Sequence, residues 1–398
     1  MSWSLVELPK IAFFQEGPGV RNWQFRESGI KLINVKNIVK GILKTENSNK
    51  YLDPQEVKEK YTHFLTEVDD LVMAASGATW GKLAWVESKH LPLCMNTSMI
   101  RFQSLNEEEL NIRYLYYYLK TNEFRKKMER LITGSAQPNF GSSHLKQIKI
   151  PLPPLPEQQK IAAILDAADT LRQKDQQLIE HYNALSQSLF LEMFGDPVSN
   201  PMGWDESSMA NACTKVTDGT HDTPKRLNKG VKFITGKHIK PYAIDYINSD
   251  YVTQEVHDEI YRRCNPNLGD VLYTNIGVNL GTAAYNSVEY EFSMKNVALL
   301  KPKSEFLNGR FLEYFLNNEI IKKKIIWMTS IGGAQKFLSL SQLRKLDVLL
   351  PPITLQNQFA ERIQAIESQK QQAQASLQKS EDLFNSLLQR AFKGELTA

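Results

Sequence analysis

The chain has 398 residues, 42% of them hydrophobic, with 48 lysines and arginines against 44 aspartates and glutamates and a net charge of +4. That length holds two or three domains with sizeable cores, and no apolar run approaches the roughly 18 residues of a membrane span. MSWSLVELPK lacks the basic start and apolar core of a secretion signal, and Cys94, Cys213 and Cys264 form neither a disulfide framework nor a metal motif, so a reducing, cytoplasmic setting is expected.

Residues 1–150 read as a mixed α and β module. GIKLINV from Gly29 and DLVMAAS from Asp70 are short β-branched or apolar runs bounded by turn formers, as strands are. SGATWGK from Ser76 follows the second. Its glycines suit a β-hairpin turn, or a backbone cradle for an anion. A helix is expected from Ile112, carrying the basic run Arg125 to Lys127.

Pro151 to Pro156 then open a connector over 151–196. Ile161, Ile164, Ala168, Leu171, Asp175, Leu178, Tyr182, Leu185 and Leu189 alternate steps of three and four, the seam of a supercoiling helix, broken only by Asp175. Gly195 and Pro197 stop it. About 38 residues at ~1.5 Å each give a rod of ~57 Å, longer than one domain buries internally.

The whole pattern then returns. GVKFITGKHI from Gly230 repeats GIKLINVKNI with five of ten residues identical, DVLYTNIGVNLGTAA from Asp270 repeats DLVMAASGATWGKLA, and PPITLQNQFAERI from Pro351 repeats PPLPEQQKIAAIL. The second module covers 197–349 and the second connector 350–398, whose seam runs Phe359, Ile363, Ile366, Lys370, Ala373, Leu377, Ser380, Phe384, Leu387 and Ala391. A basic run, Lys322 to Lys324, sits on the helix matching that of the first module. A period near 200 residues marks a duplicated domain, since solenoid units repeat every ~20 to 50. The expected fold is therefore α+β, with two globular modules joined and followed by long helices that form an antiparallel coiled coil.

Charge follows the same division. Residues 1–150 hold 21 basic and 16 acidic residues and 197–349 hold 19 and 16, whereas 151–196 hold 3 and 7 and 350–398 hold 5 of each. The basic excess lies in the modules, the sign expected of surfaces that meet phosphate.

Enzymatic motifs are missing from the sequence. There is no [DN]PP[YFW] tetrapeptide of a DNA amino-methyltransferase, no phosphate loop, and no histidine pair at metal spacing. What differs between the copies is polar and sits in expected loops. Ala78-Thr79-Trp80 stands against Val278-Asn279-Leu280, and GSAQPNF from Gly134 against GGAQKFL from Gly332, where Gln137 and Gln335 have the geometry for a bidentate contact to adenine. DGTHDTP from Asp218 joins four strong turn formers to His221 and two threonines that can reach a phosphate or a base edge.

With its paired PPLPEQQKIAAIL-like openings, its long heptad helices closing in LFLEMFGDP and LLQRAFKGEL, and DGTHDTP in the second module, the chain resembles the specificity subunits of Type I restriction-modification enzymes over essentially its whole length. The resemblance implies a subunit without catalytic, cofactor or metal residues of its own, whose two target-recognition domains each read half of a bipartite site on double-stranded DNA while the helices set the spacing. It implies docking of two modification subunits that use S-adenosylmethionine and of restriction subunits that use ATP and Mg, with no membrane partner. Glu157 of the first opening is Leu355 in the second, so a contact made by that glutamate cannot be symmetric.

The DNA contacts expected are Lys36, Asn37, Thr79, Trp80, Lys82, Gln137 and Asn139 in the first module, and His221, Lys237, His238, Asn275, Asn279, Gln335 and Lys336 in the second. Two readings compete with this one: a self-contained DNA methyltransferase or nuclease with atypical motifs, and a coiled-coil scaffold with no DNA role.

Overall fold

A computed structural model describes residues 3–132, 138–277, 279–329 and 337–396. It divides into two units, Met1–Gln176 with Ala375–Ala398, and Gln177–Gln374, so the division falls inside both long helices.

The first unit carries strands β1 (Leu5–Glu7), β2 (Ala12–Glu16), β3 (Ile30–Ile33), β4 (Tyr51–Leu52), β5 (Leu71–Ala74), β6 (Leu83–Trp85), β7 (Leu93–Met95) and β8 (Met99–Ser104). Helices α1 (Ile112–Leu119) and α2 (Asn122–Leu131), strand β9 (Lys149–Pro151) and the long helix α3 (Leu155–Phe194) follow. The second unit repeats them as β10 (Glu206–Ser208), β11 (Cys213–Asp218), β12 (Val231–Thr235), β13 (Asp250–Val252), helix α4 (Gln254–Arg263), β14 (Val271–Tyr273), β15 (Ala283–Tyr285), β16 (Ser293–Lys295) and β17 (Ala298–Pro302). Helices α5 (Gly309–Asn317) and α6 (Glu319–Thr329), strand β18 (Asp347–Leu349) and the long helix α7 (Ile353–Lys393) complete the chain.

Each unit builds the same four sheets, the smallest a ribbon of Ile38–Val39 with Ile42–Leu43 in one and of Ile239–Lys240 with Ala243–Ile244 in the other. An antiparallel sheet runs β2-β8-β5-β6 in one and β11-β17-β14-β15 in the other; a smaller sheet runs β4-β3-β7 and β13-β12-β16; a two-stranded ribbon pairs β1 with β9 and β10 with β18. In the smaller sheets the central strand is antiparallel to one neighbour and parallel to the other, Ile33 facing Met95 and Ile234 facing Met294.

Strand β5 shows why the antiparallel sheet is apolar throughout. Its side chains alternate between faces, and each face meets a core: Leu71 and Met73 join the cluster under α1, while Val72 and Ala74 join the cluster around Ile33 and Met95. Val271 and Tyr273 against Leu272 repeat this division in the second unit.

The long helices enter the same cores. In the first unit Phe384 and Phe392 of α7 pack on the α1 tyrosines, with ring centroids 5.1 Å apart for Tyr114 and Phe392. In the second unit Phe194 of α3 meets Phe311 at 4.7 Å and Phe359 of α7 at 5.3 Å. Arg172 lies over the Phe384 ring while Ser376 Oγ donates to Asp175 Oδ1 at 3.1 Å, so α3 ascends as α7 descends and the pair is antiparallel.

A glutamine fastens each long helix to its sheet domain. Gln158 is fully buried; its Nε2 donates to Glu109 O at 2.8 Å and Pro153 O at 2.9 Å, and its Oε1 accepts from Asn111 N at 2.9 Å. Gln356 does the same with Phe306 O, Pro351 O and Asn308 N at 2.9, 2.7 and 2.8 Å. Asn111 and Asn308 in turn cap α1 and α5. This is the structural content of the repeated proline and glutamine motif.

The seam expected along α7 is the seam observed, since all ten of its positions are buried or half-buried. Along α3 it is half right. Ile161, Ala168, Asp175, Tyr182 and Leu189 turn inward, but Leu171, Leu178 and Leu185 are 46%, 41% and 50% exposed, and Leu165, Arg172, Ile179 and Ser186 take the alternate positions instead. The helix has two stripes at heptad spacing, and polar residues follow the inner one because they find partners there, as Asp175 does in Ser376.

Candidate nucleic-acid interface

The glycine loops are hairpin turns. Gly77 and Gly81 have φ of +77° and +83°, Gly277 and Gly281 +89° and +85°, values that a side chain resists. Gly81 N donates to Ala74 O at 2.8 Å and Gly281 N to Thr274 O at 2.9 Å, closing β5 to β6 and β14 to β15 alike. On the first tip Thr79 and Lys82 are exposed, and Asn139 stands beside them, exposed and bridged to Ser76. Trp80 between them turns inward instead, edge-on to Phe140 at 5.6 Å and covered by the Arg125 guanidinium at 4.9 Å.

A second turn follows the central strand of each smaller sheet. Lys36 and Lys237 are exposed on it, whereas Asn37 and His238 are buried at 1% and 2%. Both of the buried pair cap the turn from within, Asn37 Oδ1 accepting from Asn34 N and His238 Nδ1 from Thr235 N, each at 2.9 Å. Burial, then the Lys237 charge, holds the His238 imidazole below its ordinary pKa, which leaves Nδ1 free to accept. Asn275 is also internal, its Nδ2 donating to Leu338 O at 3.2 Å. These three and Trp80 are therefore turned inward, the amides and the imidazole set against backbone groups and the indole against Phe140. Gln137, Gln335 and Lys336 lie outside the described residues.

In the second unit the remaining residues converge on one surface. The loop 219–230 begins at Gly219, where a Cβ would lie 2.2 Å from Met294 O. Arg263 of α4 ties its base by donating to Gly219 O at 2.7 Å and Asp218 Oδ1 at 3.1 Å. His221 stands out from the loop, 66% exposed, its Nε2 3.0 Å from Asp218 Oδ2 and its Nδ1 3.0 Å from Asn296 Oδ1. Lys295 Nζ donates to Thr223 Oγ1. Arg226 of the loop and Lys237 of the neighbouring turn share Asp250, both at 3.0 Å, which leaves one cation in excess. Asn279 of the hairpin tip reaches the same turn through Gly236 O at 3.3 Å. Loop, turn and hairpin tip thus form a continuous polar, positively charged face, fixed from below by backbone hydrogen bonds.

Sequence reading overlooked Arg226, Arg263, Lys295 and Asn296, and with them the counterpart loop of the first unit. Residues 17–28 occupy there the place of 219–230. A Cβ on Gly17 would lie 2.1 Å from Met95 O, and the loops close at Gly29 and Gly230, whose φ are +125° and +147° and on each of which a Cβ would lie 2.3 Å from the carbonyl ending the adjacent strand. The two intervening sequences share nothing, so only the bracketing glycines, twelve positions apart before β3 and eleven before β12, could have revealed the match.

Little else has the makings of a reactive site. Burial pushes Cys94, Cys213 and Cys264 up to about 12, which keeps them as inert thiols. Among the described residues no group of histidines, cysteines and carboxylates is placed to hold a metal, and no helix is long and apolar enough to cross a membrane.

Comparison with known proteins decides the family. Residues 28–181 and 225–379, one stretch in each copy, match the Type I restriction modification DNA specificity domain. The chain belongs to that family. It is 22% identical to the Type I restriction enzyme EcoBI specificity subunit of Escherichia coli over 430 residues, covering 100% of this chain and 87% of that protein. It is 20% identical to the EcoKI specificity subunit of Escherichia coli, covering 94% and 84%. Its fold matches the crystal structure of the Type I restriction-modification system S subunit from M. genitalium with a TM-score of 0.62 at 18% identity, over 98% of this chain and 96% of that one.

Proposed function

We propose that this chain is the DNA-reading subunit of a Type I restriction-modification complex, each unit reading one half of a bipartite site. The observation that carries the reading is the duplication itself: identical fastenings of sheet, turn and helix support loops whose exposed side chains differ between copies. A frame that repeats while its basic tips diverge is suited to recognising two different half-sites. Within it Lys36, Thr79, Lys82 and Asn139, and His221, Lys237 and Asn279, are the contacts of the two heads, with Arg226 and Lys295 added in the second. The chain is non-catalytic and works in the cytoplasm. Two modification subunits bring S-adenosylmethionine and restriction subunits bring ATP and Mg, which agrees with the lack of catalytic motifs in this sequence. The antiparallel helices act as the ruler between half-sites, one helical turn of DNA being ~34 Å.

Mapping methylated positions across the genome of cells carrying the system tests this. One bipartite motif with a fixed spacer is expected, and a seven-residue insertion in both long helices should change the spacer and leave the half-sites alone. An uninterrupted motif, or altered half-sites after the insertion, would refute the reading.

A further inference from the structure

Trp23 is 72% exposed, the most exposed tryptophan among the described residues. It sits on a single 3-10 turn, Asn22–Gln24, within the 17–28 loop, and that turn is anchored firmly from beneath. Gln24 is 3% exposed; its Oε1 accepts from Arg21 N at 2.7 Å and its Nε2 donates to Glu56 Oε1 at 2.8 Å and Tyr61 OH at 3.0 Å. Phe25 beside it lies under the Lys50 ammonium at 4.0 Å. The indole is therefore held out by a built support, and is not merely the end of a loose loop.

Its neighbours are cationic. Arg21 and Arg26 are exposed, Arg26 Nη1 donates to Trp23 O at 2.9 Å, and neither guanidinium makes an ion pair among the described residues. Glu27 is the loop's one carboxylate. An exposed indole between two unpaired guanidinium groups offers a flat apolar surface for a base and charges for the phosphates on either side of it. In the second unit the corresponding loop presents His221, Asp222 and Thr223, which hydrogen-bond and do not stack extensively.

Resting on the proposed DNA-reading role, we infer that Trp23 is a base-stacking side chain of the first head, pressed against an opened base step of its half-site while Arg21 and Arg26 hold the flanking phosphates. The two heads then read by different physics. The second depends on hydrogen bonds to base edges, and the first adds the ease with which its half-site unstacks, so that a flexible pyrimidine–purine step is favoured where Trp23 lands.

The test uses the full chain assembled with its modification subunits and duplexes carrying the mapped site. Trp23→Ala should weaken site binding about ten-fold, Trp23→Phe should restore most of it, and Arg21→Ala or Arg26→Ala should each lower the slope of log affinity against log salt by about one. Thermal unfolding of all four variants should match the wild type, since the side chains are exposed. If the wild type discriminates its site and Trp23→Ala binds equally well, this inference falls and the DNA-reading role stands. If Trp23→Ala instead fails to co-elute with the modification subunits, the loop is a protein interface and the inference falls. A wild-type complex that does not discriminate overturns the role itself.

Discussion

Replacing Gln158 with leucine would remove the fastening between the first sheet domain and α3 while keeping the side-chain volume close. Three hydrogen bonds are lost, and leucine returns none to Pro153 O, Glu109 O or Asn111 N. The Pro153 contact is wholly buried, while Glu109 is an exposed residue whose carbonyl water can recover. With about 1–3 kcal/mol for each buried group left unpaired, and partial recovery at the other two, the cost comes to about 2–4 kcal/mol. In a unit of roughly 200 residues each kcal/mol lowers Tm by about 2–4 °C, so a fall near 10 °C is expected for the transition of the first unit. Thermal unfolding measures it, and hydrogen exchange at the Asn111 amide, which should accelerate, locates it. Gln159→Leu, one position along on the exposed face, is the control. A Gln158→Leu variant within about 0.5 kcal/mol of Gln159→Leu would show that the repeated glutamine is not what ties helix to sheet.

Other outcomes follow from buried groups in the second unit. Glu313 is fully buried between Arg310 Nη1 at 3.0 Å and Tyr285 N at 2.8 Å, and burial pushes its pKa up from 4.5 to about 7 despite Arg310. Folding then takes up a proton between about pH 4.5 and 7, so wild-type stability relative to Glu313→Gln should fall as pH rises through that window and level off above it; a difference constant from pH 5 to 8 would contradict this. Gly219→Ala drives a Cβ into the Met294 carbonyl and should cost about 3 kcal/mol, whereas Gly77→Ala, with open space around it but φ of +77°, should cost about 1 kcal/mol. Equal losses in urea unfolding would show that the close approach at Gly219 relaxes freely.

The duplication made the architecture legible, because two weak strand patterns in one register support each other. The α7 seam was readable for the same reason. Along α3 the leucines were the louder signal and the wrong stripe, since the inner one includes the polar Asp175, Arg172 and Ser186, and Asp175 and Arg172 meet Ser376 and Phe384, about 200 residues away in sequence. The expected contacts went astray in a similar way. Asn37 and His238 look like polar tips in a linear string, yet a single 3-10 turn of the backbone points them inward to cap it. Loop 17–28 was invisible because position, not composition, makes it the partner of 219–230.

The core of the first unit contains Phe384, Leu388 and Ala391, and Phe392 packs against it. A ribosome releases those residues only after the whole of the second unit. The second unit, one uninterrupted stretch from Gln177 to Gln374, has all of its parts before then. The N-terminal domain is thus the later of the two to be completed during synthesis, against the usual order of vectorial folding, and its α1 tyrosines lack their α7 partners until that helix has emerged. Loss of only the final two turns or so of α7 would injure the domain encoded first, leaving the domain beside the break in sequence intact.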